Sequence, residues 1–263
     1  MATAFLAQPA QAQGGGFDHG HAGWTALLKK HVVLSEGGRA SQLRYAGMAS
    51  DRALLKAYLA SLASLSPQAF ASLDRAGQMA FLINAYNAAT VELVLTKYPK
   101  LSSIKEVAGF LSNPWKKKFV PLLGSTMSLD QIEHGSLRAR GRYDDPRIHF
   151  AVNCASIGCP MLREEAYVGE RLEAQLAEQA RRFMSDRSRN RWNAERRRLE
   201  VSKIFDWYGE DFALGHQGID SLGAFMAQYA DVLADAPADR ERIRARKVEI
   251  GFLDYDWKLN DAA

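Results

Sequence analysis

One stretch of the chain is apolar on nearly every side. It reads DRAGQMAFLINAYNAATVELVLTKYP and runs from Asp74 to Pro99. A helix at a protein surface has an apolar stripe opposite a polar face, whereas this segment has no continuous polar face. The segment therefore predicts a buried central helix around which the other elements must pack.

Two amides interrupt this apolar pattern. Asn84 and Asn87 are three positions apart and share one face of the predicted helix. Because buried amides need hydrogen-bond partners, two interpretations are open. The amides tie the helix to neighbouring loops, or they form the floor of a binding site. In either case a neutral amide does not act as a general base.

The segments before the central helix have helical patterns. HAGWTALLKKHVVL has apolar residues at helical spacing, and a second helix is expected over residues 51–62. Ser66 followed by Pro67 is typical of an N-cap and the first residue of a helix. These patterns predict helices alone ahead of the central helix.

The segments after the central helix predict both helices and strands. FVPLLG and STMSL indicate a hairpin, and Ser128 with Gln131 forms a capping box for the helix LDQIEHGSLRAR. RIHFAVN, RLEVSKIF and VEIGFLDYDW are expected to contain strands, and residues 169–184 and 221–233 to be helical. We therefore expect an α+β fold, a helix-rich single domain over residues 17–263 with a small, mostly antiparallel sheet packed on the buried central helix.

Residues 1–16 are expected to lie apart from this domain. Their sequence, MATAFLAQPAQAQGGG, contains A-Q-A at residues 10–12, the small-x-small pattern of a signal-peptidase site. The basic region of a signal peptide is missing, and the apolar stretch is short. We interpret the segment as a leader or signal-peptide remnant and expect a periplasmic or secreted protein.

Composition bears on the partners of the chain. No apolar run reaches the roughly 18 residues that a membrane-spanning helix needs, so we expect no transmembrane segment. The net charge is +4, and basic residues cluster at residues 116–118 and 187–198. Such clusters can bind polyanions without sequence preference. Because no aromatic-rich motif accompanies them, we expect exposed surface and no specific nucleic-acid recognition.

The two cysteines of the chain, Cys154 and Cys159, allow three kinds of site. A zinc site needs further ligands, and the H-x-H pair of His19 and His21 lies far away in the sequence. A disulfide is allowed by the turn-forming residues between the two cysteines. A reactive thiol is allowed because Cys154 lies where an apolar run gives way to a loop of small residues. We expect no metal and no cofactor.

Cys154 is the better candidate for a nucleophile. Cys159 is followed by Pro160, which has no N–H to stabilise a developing oxyanion. Cys154 is followed by Ala155 and Ser156, which offer backbone N–H groups and a hydroxyl.

Two histidines are candidates for the base. Glu133, His149 and Cys154 fit the roles of orienter, base and nucleophile in a triad. On a straight strand, however, His149 and Cys154 would point to opposite faces about 16 Å apart, so a hydrogen bond requires a bend near Asn153. His134 with Cys154 is the competing pair. Both histidines could also be core residues without a chemical role.

Five ordered motifs resemble the Domain of Unknown Function 547 family. They cover about residues 17–260 and read FLINAYNA, LDQIEHGSLR, RIHFAVNCASIGCPML, VSKIFDWYGEDF and YDWKLN. The resemblance implies a fold similar to papain-like and transglutaminase-like thiol enzymes, which carry the catalytic cysteine on a buried helix. Here the buried helix carries Asn84, and Cys154 follows His149. Lys203 and Asp206 of the fourth motif join His134, Asn84, Asn87 and Ser156 as candidate binding residues.

Two functions from different classes follow. The first is an exported thiol-dependent hydrolase or acyl transferase that acts on amide or ester bonds of a small peptide or acyl substrate through Cys154 and a histidine base. The second is a non-catalytic periplasmic module that binds a peptide or another ligand, with Cys154 and Cys159 joined as a disulfide. The alkylation rate of Cys154 separates the two, because only an activated thiol reacts quickly near neutral pH.

Export can be tested at the predicted leader. In the native host we expect cleavage near Ala12, because A-Q-A offers small residues at the positions that a signal peptidase requires. N-terminal sequencing of the mature protein measures the cleavage position. Recovery of the uncleaved protein from the cytoplasm would contradict the prediction.

Overall fold

The structure is a computed structural model that describes residues 17–108 and 113–262. The predicted leader lies outside the described residues. The described helices and strands form a helix-rich α+β architecture with small sheets in which antiparallel pairing predominates, as the sequence predicts.

Helix α5 (Arg75–Leu95) is the centre of the fold. The Asp74 carboxylate begins the helix by accepting a hydrogen bond from the Gly77 N–H at 2.7 Å. From Met79 to Leu95 every residue except Glu92 is buried. The prediction of a buried central helix is confirmed.

The elements before α5 pack against it and include a hairpin that the sequence pattern missed. Val32 continues the helical spacing of the first helix, but that helix ends at His31 because two adjacent β-branched valines favour an extended chain. Ser66 caps a helix as predicted, since its Oγ accepts the Ala69 N–H at 3.1 Å. In chain order these elements are α1 (Ala22–His31), β1 (Val32–Ser35), β2 (Ala40–Leu43), α2 (Tyr45–Ser50), α3 (Arg52–Ser64) and α4 (Pro67–Ala71).

The predicted hairpin and capping box follow α5. Strands β3 (Lys118–Leu122) and β4 (Ser125–Ser128) pair antiparallel. The Ser128 Oγ accepts the Gln131 N–H at 3.1 Å, and the Gln131 Oε1 accepts the Ser128 N–H at 3.0 Å. The helix that this box opens, α6 (Leu129–Ile132), widens at once into a π-helical turn over Glu133–Leu137. Such turns are frequent at functional sites.

The expected strand in RIHFAVN is wrong, because the structure has a short helix there, α7 (Ile148–Ala151). The turn before it starts the helix: the Asp145 carboxylate accepts the Arg147 N–H at 3.0 Å, and the Pro146 carbonyl accepts the His149 N–H at 3.2 Å. A short buried apolar run has the same pattern in a helix and in a strand, so periodicity could not separate the two.

The remaining elements form a three-stranded sheet and further helices. Strand β6 pairs antiparallel with β5 and parallel with β7. The helix predicted over residues 221–233 is interrupted at Tyr229. In chain order the elements are α8 (Leu172–Ser185), β5 (Arg191–Asn193), β6 (Arg198–Val201), α9 (Ile204–Trp207), α10 (Leu222–Gln228), α11 (Ala230–Leu233), α12 (Pro237–Arg244) and β7 (Glu249–Phe252).

Helix α7 lies where two hydrophobic clusters meet. Ile148 and Ala151 belong to the cluster around α5, whereas Phe150 belongs to a second cluster rich in phenylalanine. His149 is therefore held between two packed cores and is only 3% exposed. A side chain in such a position has little freedom to change its orientation.

Two features bear on partners. None of the helices within residues 17–108 and 113–262 has the length and apolar character needed to cross a bilayer. Part of the arginine-rich segment is paired within the protein, since the buried Glu200 carboxylate contacts Arg191, Arg196 and Arg198 at 3.0 to 3.5 Å. These pairs leave less free positive charge than the sequence suggests.

The two asparagines of α5 tie the helix to neighbouring loops. The Asn84 amide donates to the Tyr167 carbonyl at 2.7 Å and accepts the Tyr167 N–H at 3.0 Å. The Asn87 amide donates to the Ala151 carbonyl at 2.9 Å and accepts the Asn153 N–H at 2.8 Å. Each amide thus satisfies two buried backbone groups of a loop that has no strand partner at that point.

Asn84→Ala should lower the free energy of unfolding by about 1–3 kcal/mol, because the Tyr167 N–H and carbonyl lose their partners in the core. Chemical denaturation measures the change. Lys97→Ala, an exposed position just beyond the same helix, is the control and should change stability by less than about 0.5 kcal/mol. Equal stabilities of the two variants would refute the role given to Asn84.

Candidate functional site

Cys154 lies at the wall of a cavity of about 320 Å³. The aromatic side chains that line the cavity are Tyr86, Trp115, Trp207, Tyr208, Tyr255 and Trp257. The titratable groups other than tyrosine are Asp130, Glu133, His134, His149, Cys154 and Cys159. Within the described residues, no three histidine, cysteine, aspartate or glutamate side chains are grouped so as to hold a metal ion.

The sulfur of Cys154 is surrounded by hydrogen-bond donors. The Tyr255 hydroxyl lies 3.0 Å from it, and both cysteines are free thiols. A hydrogen bond from Cys159 is the largest influence that lowers the pKa of Cys154, and burial opposes it. The Tyr255 hydroxyl lowers the pKa further, and the nearby Ser156 acts in the same direction. Cys154 is therefore the thiol that becomes a thiolate more readily.

Cys159 has the opposite character. Burial, together with the neighbouring Cys154 sulfur, raises the pKa of Cys159 well above its usual range. The Cys154 N–H points at the Cys159 sulfur at 2.9 Å. Cys159 remains a protonated thiol that supports its neighbour, which agrees with the choice of Cys154 as the candidate nucleophile.

A constrained loop holds the Cys154 sulfur in the cavity wall. Ala155 has φ of 64°, a left-handed conformation that is uncommon for alanine and is maintained only by its surroundings. The Asn153 side chain accepts the Ala155 N–H at 2.9 Å and donates to the Pro160 carbonyl at 2.8 Å. The N–H of Ala155, expected to be available for an oxyanion, is thus already occupied.

Gly158 allows a second segment to close over this loop. A Cβ at Gly158 would come within 3.0 Å of the Asp256 nitrogen and the Tyr255 ring. The Gly158 N–H donates to the Asp256 carbonyl at 2.8 Å, and the Ile157 N–H donates to the Lys258 carbonyl at 2.8 Å. The segment after β7 thereby brings the Tyr255 hydroxyl to the Cys154 sulfur.

His149 forms a buried pair with a carboxylate. Its Nε2 lies 2.7 Å from the Asp211 Oδ2, and the same carboxylate accepts hydrogen bonds from Arg138 at 2.6 and 3.1 Å. The ring stacks on Tyr208 with 4.2 Å between ring centres. Because Asp211 accepts a hydrogen bond from the Nε2–H, the second ring nitrogen, Nδ1, is left as the proton acceptor.

Burial and charge set the protonation states of this pair. Burial lowers the pKa of His149, and the Asp211 carboxylate only partly offsets that effect. Burial favours the neutral form of Asp211, but the hydrogen bonds from His149 and Arg138 outweigh it and hold the pKa of Asp211 well below its usual range. At neutral pH the pair is a neutral imidazole and a carboxylate, which suits a general base.

The structure brings together Cys154, His149, Glu133 and His134 in one cavity, with an arrangement that differs from the predicted triad. The carboxylate on the His149 ring is Asp211, and Glu133 forms no ion pair within the described residues. Among those residues no hydrogen bond joins the Cys154 sulfur to His149. The Nδ1 of His134 lies 2.6 Å from the Arg138 guanidinium, so His134 is engaged elsewhere.

Five other predicted site residues lie outside the cavity wall. Asn84 and Asn87 hold loops, and Ser156 lies behind the Cys154 sulfur with its hydroxyl buried. Lys203 and Asp206 pair with each other at 2.7 Å on the surface of α9. The residues of that helix that line the cavity are Ile204 and Trp207.

Sequence reasoning missed two functional side chains, Asp211 and Tyr255. Asp211 lies in the quoted motif VSKIFDWYGEDF, five positions after Asp206, in a 3₁₀ turn over Gly209–Ala213. Tyr255 opens the quoted motif YDWKLN. Both residues lie in motifs that carry the family resemblance. Local patterns, however, do not indicate which polar side chain of a motif reaches a partner more than 60 residues away.

Asp211→Asn should lower the pKa of His149 further, because the carboxylate favours the imidazolium form and burial disfavours it. Nitrogen NMR of the imidazole ring over a pH series measures the pKa and identifies the protonated ring nitrogen, which we expect to be Nε2. Asp206→Asn, whose carboxylate pairs with Lys203 outside the cavity, is the matched control and should leave His149 unchanged. A His149 titration that is the same in both variants would show that Asp211 does not interact with the ring.

The comparisons with known proteins agree with the motifs. The search of curated proteins and the search of solved structures return no match. Residues 70–184 match the family model described as "Protein of unknown function, DUF547". The matched segment includes α5, the π-helical turn, α7 and the two cysteines, but not Asp211 or Tyr255. The match over residues 70–184 supports the resemblance to the DUF547 family.

Proposed function

We propose that the protein is an exported thiol-dependent hydrolase or acyl transferase that acts on amide or ester bonds through Cys154. The observation that carries the proposal is one shared cavity. It joins a half-buried thiol, whose surroundings favour the thiolate, and a neutral histidine held by a carboxylate. A relation to papain-like thiol enzymes is part of this proposal.

In the first step the Cys154 thiolate attacks the carbonyl carbon of the substrate. The carbon–nitrogen or carbon–oxygen bond breaks, the acyl group remains on sulfur as a thioester, and the leaving amine or alcohol takes a proton from solvent water. The hydroxide that this leaves in solvent is neutralised by the proton that the second step releases. The Tyr255 hydroxyl, 3.0 Å from the sulfur, then serves as a donor to the carbonyl oxygen on which negative charge develops.

In the second step a water molecule or an acceptor amine attacks the thioester. His149 takes a proton from the attacking group at Nδ1, and the carboxylate of Asp211 stabilises the imidazolium that forms. The carbon–sulfur bond breaks and the thiolate of Cys154 returns. The proton on His149 is released to solvent, so the enzyme regains its starting state.

The competing function is a ligand-binding module without catalysis. The nearness of the two cysteines favours it, because the Cys159 sulfur accepts a hydrogen bond from the Cys154 N–H at 2.9 Å and formation of a disulfide would remove the nucleophile. Such a protein would keep the cavity and its aromatic wall. The two functions therefore differ in the reactivity of the reduced protein.

On the reduced protein, Cys154 should be alkylated with a midpoint well below the free-thiol pKa of about 8.5, because several donors stabilise its thiolate. Cys159→Ala should raise that midpoint, since it removes the largest stabilising hydrogen bond, whereas Cys159→Ser keeps a donor and should raise it less. Iodoacetamide labelling followed by mass spectrometry of each cysteine over a pH series measures these midpoints.

The same variants separate the nucleophile from the base. In assays with nitrophenyl esters and peptide anilides, Cys154→Ser should abolish turnover, and His149→Ala should lower it about 10²- to 10⁴-fold while leaving Cys154 reactive to iodoacetamide. Lys203→Ala, outside the cavity, is the control and should keep full turnover. If Cys154 in the reduced wild-type protein reacts no faster than an ordinary thiol, the binding module is the better account.

A further inference from the structure

The side chain left without a role by this mechanism is Glu133. Its carboxylate lines the cavity, yet the residue is only 7% exposed. Within the described residues it forms no ion pair, although a buried carboxylate normally has a cationic partner. Its carboxylate helps to raise the pKa of the buried Tyr86, which lines the same cavity.

The cations near the cavity do not neutralise Glu133. Arg138 directs its Nε and Nη2 to Asp211 and its Nη1 to His134. The Lys105 ammonium lies 3.6 Å from the centre of the Trp257 ring. His149 is neutral at pH 7 because burial lowers its pKa. Within the described residues Glu133 therefore has no cation in salt-bridge contact, although its charge helps to raise the pKa of Arg138, and the Asp130 carboxylate lines the same cavity.

The aromatic part of the cavity lining suits a cation. Trp207, Tyr255 and Trp257 form one cluster with ring centres 4.5 to 5.6 Å apart. Cations are attracted to the faces of tryptophan and tyrosine rings, and the contact of Lys105 with Trp257 shows that this cluster already attracts one. Aromatic rings and a buried carboxylate that line one cavity are suitable surroundings for a bound organic cation.

We propose that the cavity binds a substrate through a cationic group, a guanidinium or a protonated amine, placed between the Glu133 carboxylate and the aromatic cluster. This inference rests on the proposed function for the reaction that follows binding, and it assigns Glu133 to substrate selection instead of to the catalytic triad. The substrate class is then an amide or ester of a basic amino acid or of a peptide that contains one. The cation, held at Glu133, would position the neighbouring carbonyl group toward Cys154.

The test is equilibrium binding, which does not depend on catalysis. The probe pairs are Nα-acetyl-arginine amide with Nα-acetyl-citrulline amide, and Nα-acetyl-lysine amide with its Nε-acetylated form. Members of the first pair have nearly the same shape and differ in charge. Calorimetry on Cys154→Ala protein should show a preference for at least one cationic probe over its neutral partner of about 10- to 100-fold. A preference within the arginine pair indicates a guanidinium site, and a preference within the lysine pair indicates an ammonium site.

Variants of Glu133 decide the assignment. Glu133→Gln keeps the size of the side chain and should abolish the preference by weakening cation binding alone, whereas Glu133→Asp keeps the charge and should retain part of it. Asp206→Asn is the control outside the cavity, and thermal melting confirms that each variant is folded. Equal binding of charged and neutral probes by the wild-type site, or an unchanged preference in Glu133→Gln, would overturn the inference.

These outcomes are separate from those of the proposed function. If the protein prefers cationic probes but Cys154 is unreactive, the inference about the binding site stands and the proposal of an enzyme fails. If Cys154 is reactive and the protein hydrolyses charged and neutral substrates equally, the proposal of an enzyme stands and the inference that Glu133 selects the substrate fails.

Discussion

The site depends on the amide of Asn87. This side chain lies inside the most buried helix of the protein and binds the backbone on both sides of Val152, where the chain leaves α7 and approaches Cys154. The segment has no strand beside it, so without the amide its Ala151 carbonyl and Asn153 N–H would be unsatisfied in the core. Helix α5 therefore fixes the path of the loop that carries Cys154 and also packs the core.

Two carboxylates near the cavity have different roles because their surroundings differ. Asp211 is matched by Arg138 and His149 and serves to orient the imidazole. Glu133 lines the cavity together with Tyr86. The π-helical turn contributes to this division, because it places Glu133 at the cavity while the side chain of Arg138, five residues later, reaches Asp211. One short turn thus supplies the Glu133 carboxylate, which forms no ion pair within the described residues, and is followed by Arg138, the cation that neutralises Asp211.

The parts of the fold that the sequence predicts are those that local chemistry determines. The burial of α5, the Ser66 cap, the β3–β4 hairpin and the Ser128 capping box depend on residues a few positions apart, and all are present. The prediction of a strand in RIHFAVN is wrong because the same apolar run fits a helix and a strand. The turn at residues 145–146 starts the helix that the structure has there. In the site, the sequence indicated Cys154 and His149. It could not select Asp211 among the acids of one motif, because only packing between distant segments makes that choice.

The segment after β7 determines when the loop around Cys154 can take its final form during synthesis. Residues 255–261 bind three earlier parts of the chain: the Asn260 N–H donates to Ala155 at 3.1 Å, the Leu259 N–H to Ser102 at 2.7 Å, and the Leu43 N–H to Asn260 at 2.9 Å. The loop that carries the thiol is therefore incomplete until this late segment has left the ribosome, although α5 and the cysteines emerge long before. Until residues 255–261 have been synthesised, Cys154 lacks the Tyr255 hydroxyl, one of the groups that lower its pKa. The acidity that the folded loop gives to this thiol therefore comes later than the thiol itself.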